Sequence, residues 1–453
     1  MAYSAYKNTN QKWTPRIPEH WEFWRAKRVF ANPKEKNEGN RERNVLSLTL
    51  RGVIHNNIEN PIGLAPADYA TYQLFEPNDL VFKLIDLENI STSRVGIVPE
   101  RGVMSSAYIR FSAREPVNIR YFYFQYYDWW MRNIFNGLGA GVRQTLSADD
   151  LLMLKIAVPP KDEQDQIVRY LDWKISDINK LIHGYQREIK LIEERRYTII
   201  NNAVVHGIDE QTDTSETKAL WMGQVPMHWH QMRMKNLFKE VNDRSADGKE
   251  PHLSMSQKKG LVTDDENIGR PLLSESYVGA KICDKDDLVL NRLKAHLGVF
   301  ALAPMRGVVS PDYTVLRLDR KRILPKYAEF LLKSHDCRKE LKIRVRGIVE
   351  GFWRLYTDDL GAIPVCIPDL DEQIQILSCI EKQTQPMDYA IHSIEKEIEL
   401  LKEFKTRLIS DVVTGQMDVR GFEIPDYEPE EDIAEENPAE DGSADEEVDA
   451  NAD

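Results

Sequence analysis

The amino-acid sequence repeats itself once, at an offset of 208 or 209 residues. Residues 17–21 (IPEHW) return as 225–229 (VPMHW), and 79–81 (DLV) return as 287–289. Further along, Glu163-Gln164 returns as Glu372-Gln373. This period is far longer than that of any solenoid repeat. The order and spacing of the matches therefore predict two copies of one large unit.

The first part of each copy is predicted to be an α+β domain, over 17–160 and 225–369. Short strand-like runs occur at Val45–Leu50, Asp79–Leu84 and Val103–Phe111. A helix candidate follows at Asn118–Phe135, and Lys326–Leu341 is its counterpart. Each domain is of a size that supports one hydrophobic core.

The second part of each copy is predicted to be one long helix, over 161–206 and 370–418. From Ile167 onwards apolar residues recur at alternating steps of four and three, the period of a coiled-coil seam. Pro386 should kink or interrupt the second helix. We expect the helices to pair as an antiparallel coiled coil that separates the two domains. The seam residues expected to make this pair or to dock partners are Ile178, Ile182, Tyr185, Ile189, Ile192, Met387, Ile391, Ile394, Ile398 and Leu401.

The remaining segments are an N-terminal arm (1–16), a polar linker (207–224) and an acidic tail (419–453). From Glu423 to Asp453 the tail has 15 acidic residues and no Lys or Arg, and it is predicted to be disordered. It accounts for the net charge of −13, because basic and acidic residues nearly balance in the rest of the chain. The tail is either a solubility element or a competitor of DNA for basic surface.

Motifs of catalysis and cofactor binding are not found in the sequence. It has no phosphate-binding loop, HExxH helix, dinucleotide fingerprint or aminomethyltransferase tetrapeptide. The four cysteines form no CxxC pair, and the histidines lack metal-ligand spacing. No signal peptide or run of about 18 apolar residues occurs, so we expect a cytoplasmic chain without membrane contact. We expect no catalytic, cofactor or metal site.

Glycine-containing basic segments at matching places in both copies are candidates for DNA contact. Glycine lets the backbone approach a phosphate, while Arg and Gln can bond base edges. The alternative interpretation is a solvated hairpin with ordinary surface charge. The DNA-binding candidates are Lys83, Arg94, Gly139, Gly141, Arg143, Gln144, Arg292, Lys294, His296, Arg344, Arg346, Trp353 and Arg354.

The pattern resembles the specificity subunits of type I restriction-modification systems over about residues 17–420. The two domain starts, 17–21 and 225–229, carry this resemblance. So do the domain ends, 158–164 (VPPKDEQ) and 367–373 (IPDLDEQ), each of which leads into a long helix. In the terms of that family, the domains are target recognition domains and the helices are its central and distal conserved helices.

The resemblance implies a non-catalytic subunit that reads a bipartite, asymmetric site in double-stranded DNA, one half-site per domain. It also implies docking of two modification methyltransferase subunits on the helices, and of a restriction and translocase subunit. S-adenosylmethionine, ATP and Mg would be used by those partners for adenine-N6 methylation and ATP-dependent cleavage, and none would be bound by this chain.

Two other functions remain open on the sequence. A coiled-coil scaffold or protein-interaction adaptor would agree with the balanced charge of the body. A methyltransferase fused to recognition domains is disfavoured by the missing cofactor and catalytic motifs.

If the paired helices set the distance between the half-sites, lengthening them should lengthen the DNA spacer. One added turn, four residues or about 6 Å, is expected to increase the preferred spacer by one or two base pairs. Binding-site selection on the insertion variant measures this, and an unchanged spacer would refute the idea.

Overall fold

The computed structural model describes residues 2–57, 68–85, 87, 93–139, 145–209, 211–256, 260–263, 276–294, 297–346 and 354–431. The chain divides into two compact units. Unit 1 contains residues 1–187 and 395–453, and unit 2 contains residues 188–394. Both units mix helices with antiparallel strands, which confirms the predicted α+β class. Each unit contains one predicted domain, the beginning of one long helix and the end of the other.

Unit 1 begins with an arm, continues through the first domain and ends in a long helix. Its strands are β1 (Tyr6–Gln11), β2 (Thr14–Pro18), β3 (Glu22–Arg25), β4 (Phe30–Ala31), β5 (Leu46–Thr49), β6 (Gly52–His55), β7 (Gln73–Phe75), β8 (Leu80–Phe82), β9 (Val95–Ile97), β10 (Gly102–Met104), β11 (Ile109–Ala113) and β12 (Lys155–Val158). Its helices are α1 (Ala26–Val29), α2 (Ile119–Met131), α3 (Ile134–Leu138), α4 (Ala148–Met153) and the first part of α5 (Lys161–His206).

Unit 2 repeats this plan. Its strands are β13 (Thr214–Glu216), β14 (Gln224–Pro226), β15 (His230–Arg233), β16 (Phe238–Val241), β17 (Leu253–Ser256), β18 (Gly260–Thr263), β19 (Lys281–Cys283), β20 (Leu288–Asn291), β21 (Phe300–Leu302), β22 (Gly307–Val309), β23 (Tyr313–Leu318) and β24 (Pro364–Ile367). Its helices are α6 (Pro325–Lys333), α7 (His335–Arg344), α8 (Thr357–Ala362) and the first part of α9 (Leu370–Val413), with single 3-10 turns at Leu220–Met222 and Met234–Asn236.

The strand order of the two units is the same. The largest sheet runs β4-β11-β8-β9 in unit 1 and β16-β23-β20-β21 in unit 2. Two-stranded pairs also correspond: β5-β6 with β17-β18, β7-β10 with β19-β22, and β3-β12 with β15-β24.

The arm and the predicted linker are both folded into their units. In the arm β1 pairs with β2, and at the equivalent place β13 pairs with β14. Ala219 and Met222 are buried, and Trp221 Nε1 donates to the Pro364 carbonyl at 2.7 Å. The prediction that 207–224 is only a linker is therefore wrong. The polar composition of this segment gave no indication that Ala219, Trp221 and Met222 pack into unit 2.

The core of unit 1 is aromatic. The buried rings of Phe30, Phe82, Phe111, Tyr126 and Trp129 contact one another edge-on or stacked, with adjacent ring centroids 4.9–5.5 Å apart. Such contacts add stability beyond area burial. They explain why the helix that follows the sheet is rich in aromatic residues.

That helix and its counterpart are each broken in two, unlike the single helices predicted. Asn133 has a left-handed φ of 54° between α2 and α3. Ser334 separates α6 from α7, and its side chain accepts a hydrogen bond from the Cys337 N–H. Both residues favour helix ends, because a short polar side chain tolerates a left-handed backbone or caps a new helix.

One carboxylate joins the start of each domain to the start of its long helix. Glu163 on α5 accepts hydrogen bonds from Tyr3 Oη (2.6 Å), His20 Nε2 (2.8 Å) and Trp21 Nε1 (3.0 Å). Burial and this carboxylate raise the pKa of Tyr3. The His-Trp pair therefore packs at the domain start, and its polar atoms form hydrogen bonds with the helix.

Unit 2 has the same junction. Glu372 on α9 accepts from His228 Nε2 at 2.7 Å and from Trp229 Nε1 at 3.1 Å. The next residue, Gln373, is buried, accepts from the Leu324 N–H at 2.8 Å and donates to the Pro368 carbonyl at 3.0 Å. Gln164 does the same in unit 1, between the Asn118 N–H and the Pro159 carbonyl.

The end of the other long helix completes each junction. Gly415 follows α9 with a φ of +71°, and a Cβ there would collide with the Pro18 ring. Gly207 follows α5 with a φ of +84° and lies against Pro226 and Trp229. Glycine is required at a left-handed helix end in such close contact. The repeat Val-Val-x-Gly, at 204–207 and 412–415, is the sequence signal for this feature.

The two long helices are α5, of 46 residues, and α9, of 44 residues. No helix in the described part of the chain has the length and apolar character needed to span a membrane. Pro386 is exposed and α9 continues across it, so the predicted interruption is wrong. Packing of the rest of the helix offsets the lost backbone hydrogen bond.

The seam of both helices faces protein rather than solvent. Ile178, Ile182, Ile394 and Ile398 are buried. The other predicted seam residues are half-buried, namely Tyr185, Ile189, Ile192, Met387, Ile391 and Leu401. Within unit 1, Lys405 Nζ donates to Asn179 Oδ1 at 3.3 Å. Within unit 2, Arg196 Nε lies 3.0 Å from Asp388 Oδ1.

The first part of the acidic tail packs on α5, contrary to the prediction of disorder. The Phe422 ring lies 5.0 Å from that of Tyr170. Ser176 Oγ donates to the Glu428 carbonyl and accepts from the Glu430 N–H, at 3.0 and 2.8 Å. Side chains of α5 thus form hydrogen bonds with the backbone of the tail. Such bonds do not require the tail to be hydrophobic, so composition did not predict them. Residues 432–453 lie outside the described residues.

We expect the same aspartate to matter unequally in the two units. Asp79 accepts from Arg110 Nε at 2.6 Å, and both side chains are 6% exposed. The equivalent Asp287 pairs with Arg317, which is 44% exposed. Asp79→Asn should lower the free energy of unfolding of unit 1 by about 3–5 kcal/mol, because it leaves the guanidinium buried without its anion.

Asp287→Asn is the matched control and should cost unit 2 only about 1 kcal/mol, because water screens Arg317. Hydrogen exchange of the amides in β8 and β11, compared with β20 and β23, measures the two effects separately. Equal losses in both units would contradict the explanation.

Candidate nucleic-acid interface

In each unit one backbone hydrogen bond joins the end of the glycine-containing segment to the loop that carries the other DNA-binding candidates. That loop contains Arg292 and Lys294 in unit 2, and Lys83 in unit 1. In unit 2 the Leu355 N–H donates to the Arg292 carbonyl at 3.1 Å. At the equivalent place in unit 1 the Leu146 N–H donates to the Leu84 carbonyl at 3.0 Å. The residue after the glycine-containing segment is thereby fixed beside the turn that follows the central strand, β20 or β8.

Two arginines face each other across the base of the segment in unit 2. Arg346 and Arg354 form an antiparallel bridge and exchange both backbone hydrogen bonds, at 2.9 and 2.8 Å. Directly opposed residues of such a pair project to the same face, where like charges repel. This arrangement gives the fold no stability, so it is suited to an anion.

Neighbouring residues hold the other candidates of unit 2 in place. Arg292 Nε donates to the Asp312 carbonyl at 2.8 Å. The Lys294 N–H closes a turn on the Asn291 carbonyl at 3.1 Å. Arg344, in the last turn of α7, forms an ion pair with Glu340 at 2.7 Å. Backbone hydrogen bonds therefore place Arg292, Arg346 and Arg354 on neighbouring segments of unit 2.

Fewer of the DNA-binding candidates of unit 1 are available to contact a ligand. Arg94 is 2% exposed, and its Nη1 donates to the carbonyls of Lys83 and Ile85 at 3.4 and 3.3 Å. It fastens the β8–β9 connection, so the prediction of DNA contact by Arg94 is wrong. Lys83 lies on the same connection, and its N–H bonds the Arg94 carbonyl. Gly139 ends α3.

Five candidates lie outside the described residues: Gly141, Arg143, Gln144, His296 and Trp353. Among the residues that are described, no group of three or more His, Cys, Asp or Glu side chains could hold a metal ion. Cys283, Cys337, Cys366 and Cys379 are free thiols.

The sequence analysis missed Asp359. In unit 1 the equivalent Asp150 forms a capping box with Ser147, whose hydrogen bonds lower the pKa of that carboxyl. In unit 2 Tyr356 replaces Ser147 and makes no side-chain cap. Asp359 instead forms an ion pair with Arg346 Nη2. The change from Ser147 to Tyr356 between the copies was the available signal.

Comparison with known proteins gives one consistent picture. Residues 21–191 match the family model for the type I restriction modification DNA specificity domain. The chain is 22% identical over 299 residues to a putative type I restriction enzyme MjaX specificity subunit of Methanocaldococcus jannaschii. That match covers 64% of this chain and 66% of the relative, so it spans just under two thirds of the curated relative's length.

Two solved structures are also similar. One, described as the structural basis of complex assembly and conformational transition of the type I R-M system, has a TM-score of 0.59 at 14% identity. It covers 88% of this chain and 99% of its own, and it shows that the two share a fold. The HsdS subunit from Thermoanaerobacter tengcongensis has a TM-score of 0.41 at 14% identity, with 88% of this chain and 98% of its own covered.

Arg354 is exposed and is expected to contact phosphate. Arg354→Gln should weaken binding to all duplexes alike and reduce the slope of log affinity against log salt by about 0.9, the value for one lost phosphate contact. Arg407→Gln, on the 82% exposed arginine of α9, is the control and should leave the slope unchanged. Fluorescence anisotropy at several salt concentrations measures both, and equal slopes for the two variants would contradict the assignment.

Proposed function

We propose that this chain is a specificity subunit of a type I restriction-modification system and reads one half-site of a split DNA sequence with each of its two units, since residues 21–191 match the DNA specificity domain of that family. It catalyses no step itself and selects the DNA on which partner subunits act. The proposal is carried by the equal strand order of the two units, which gives both of them the architecture of the matched domain.

The duplication is supported by equivalent contacts as well as by equivalent strands. Glu163 and Glu372 accept from the same His-Trp pair in their own units. The Leu146 and Leu355 amides form equivalent backbone hydrogen bonds in their own units, to the carbonyls of Leu84 and Arg292. A chance resemblance between two halves would not reproduce contacts of this kind. We therefore interpret the halves as two copies of a target recognition domain.

The coiled coil is supported by which parts of the helices meet within each unit. In unit 1 the beginning of α5 contacts the end of α9, through Asn179 and Lys405. In unit 2 the end of α5 contacts the beginning of α9, through Arg196 and Asp388. Both contacts, and the buried seam, are those of an antiparallel pair.

The helices also offer a surface to which a modification subunit could dock. On unit 1 a groove is lined by Leu181, Tyr185, Glu397, Leu400 and Leu401. Leu181 and Leu400 are 54% and 55% exposed, so part of the apolar lining of the groove faces solvent. We propose two modification methyltransferase subunits and a restriction and translocase subunit as the partners, and adenine-N6 methylation as the reaction directed by this chain.

The first experiment is co-purification of the chain with a methyltransferase subunit encoded beside it, followed by mapping of methylated adenine in host DNA. We expect a stable complex and a split motif methylated in both halves, lost when this chain is deleted. Re-expression of the chain is the control and should restore the motif. Unchanged methylation after deletion, without a partner complex, would favour a scaffold protein instead.

A further inference from the structure

An ion pair in unit 2 has no counterpart among the described residues of unit 1. Asp359 is 16% exposed, whereas its partner Arg346 is 70% exposed. Among the described residues, Asp359 is the only hydrogen-bond partner of the Arg346 guanidinium. The carboxylate is thus held by the domain, while most of the guanidinium faces solvent.

The contrast with unit 1 shows that Asp359 has been released from a structural task. Asp150 is tied to Ser147 in a capping box at the start of α4. Tyr356 leaves the start of α8 without a side-chain cap, although an uncapped helix loses about 1 kcal/mol. Asp359 thus pairs with Arg346 and takes no part in capping α8.

The pair also constrains a residue whose position is otherwise unfavourable. Arg346 stands opposite Arg354 in an antiparallel bridge, so its charge repels a neighbour. An exposed ion pair contributes little stability, about 0–1 kcal/mol. Fixing the orientation of the guanidinium is the effect that remains.

We propose that Asp359 is a positioning residue that orients Arg346 to read a guanine in the half-site bound by unit 2. The inference rests on the proposed function. Nη2 carries two N–H groups, so with one of them bonded to Asp359 the other, together with an N–H of Nη1 or Nε, still forms a two-donor edge for the ligand. A fork fixed in this way can donate two hydrogen bonds to guanine N7 and O6, whereas Arg354 beside it contacts phosphate.

Asp359→Asn should therefore change specificity and affinity in opposite directions. The preference for guanine at one position of one half-site should fall roughly tenfold, within the range measured for a bidentate contact. Affinity for mixed-sequence DNA should rise, because a negative charge beside Arg346 is removed. A variant that only damaged the fold would lose both.

Three further variants separate positioning from charge and folding. Asp359→Glu keeps the carboxylate and should retain the guanine preference. Arg346→Lys keeps the positive charge but lacks the fork, so it should bind mixed-sequence DNA normally and lose the preference. Asp150→Asn, the matched control in unit 1, should leave the base preferences of both half-sites unchanged.

The measurement is binding-site selection from a randomised duplex pool by the full chain with its co-purified modification subunit, together with anisotropy on mixed-sequence DNA at two salt concentrations. If the native chain selects no sequence, the proposed function fails and this inference with it. If it selects a split site but Asp359→Asn selects the same site with the same guanine preference, only the inference about Asp359 is overturned.

Discussion

The carboxylates of Glu163 and Glu372 are the interactions on which both units depend. Each carboxylate lies in the first turn of a long helix. It accepts hydrogen bonds from a His-Trp pair more than 140 residues earlier in the chain. A buried carboxylate needs donors on its lone pairs, and the junction supplies a tyrosine, a histidine and an indole in unit 1. The first strand of the domain, its last strand and its helix are thereby fixed at one point.

The same junction accepts the end of the other helix. Gly415 and Gly207 let the chain turn against Pro18 and Pro226, where any side chain would be strained. Each unit is therefore built from segments far apart in the sequence, and neither long helix belongs to one unit alone. A domain boundary drawn along the sequence, such as 17–160, therefore leaves out the end of α9, which belongs to the same unit.

Equivalent positions in the two units have diverged where the fold permits it. Asp79 pairs with the buried Arg110, whereas Asp287, at the equivalent position, pairs with Arg317, which is half-exposed and lies at the place of Ser112. Asp150 caps a helix, while Asp359 binds an arginine. The strand order tolerates these changes because it depends on the apolar faces of the strands, which both units keep.

The sequence by itself predicted the repeat, the strand-rich domains, the long helices and their apolar seam, because repetition and periodicity can be read from the chain without knowing its neighbours in space. It also indicated the arginines of unit 2. Only the tertiary structure decided that Arg94 is buried, that Asp359 pairs with Arg346, that 207–224 is folded and that the tail packs on α5. Each of these depends on which distant backbone carbonyl, carboxylate or helix side chain lies within hydrogen-bond reach. Charge and composition are the same for a side chain that faces DNA and for one that bonds its own fold, so only the packing distinguishes them.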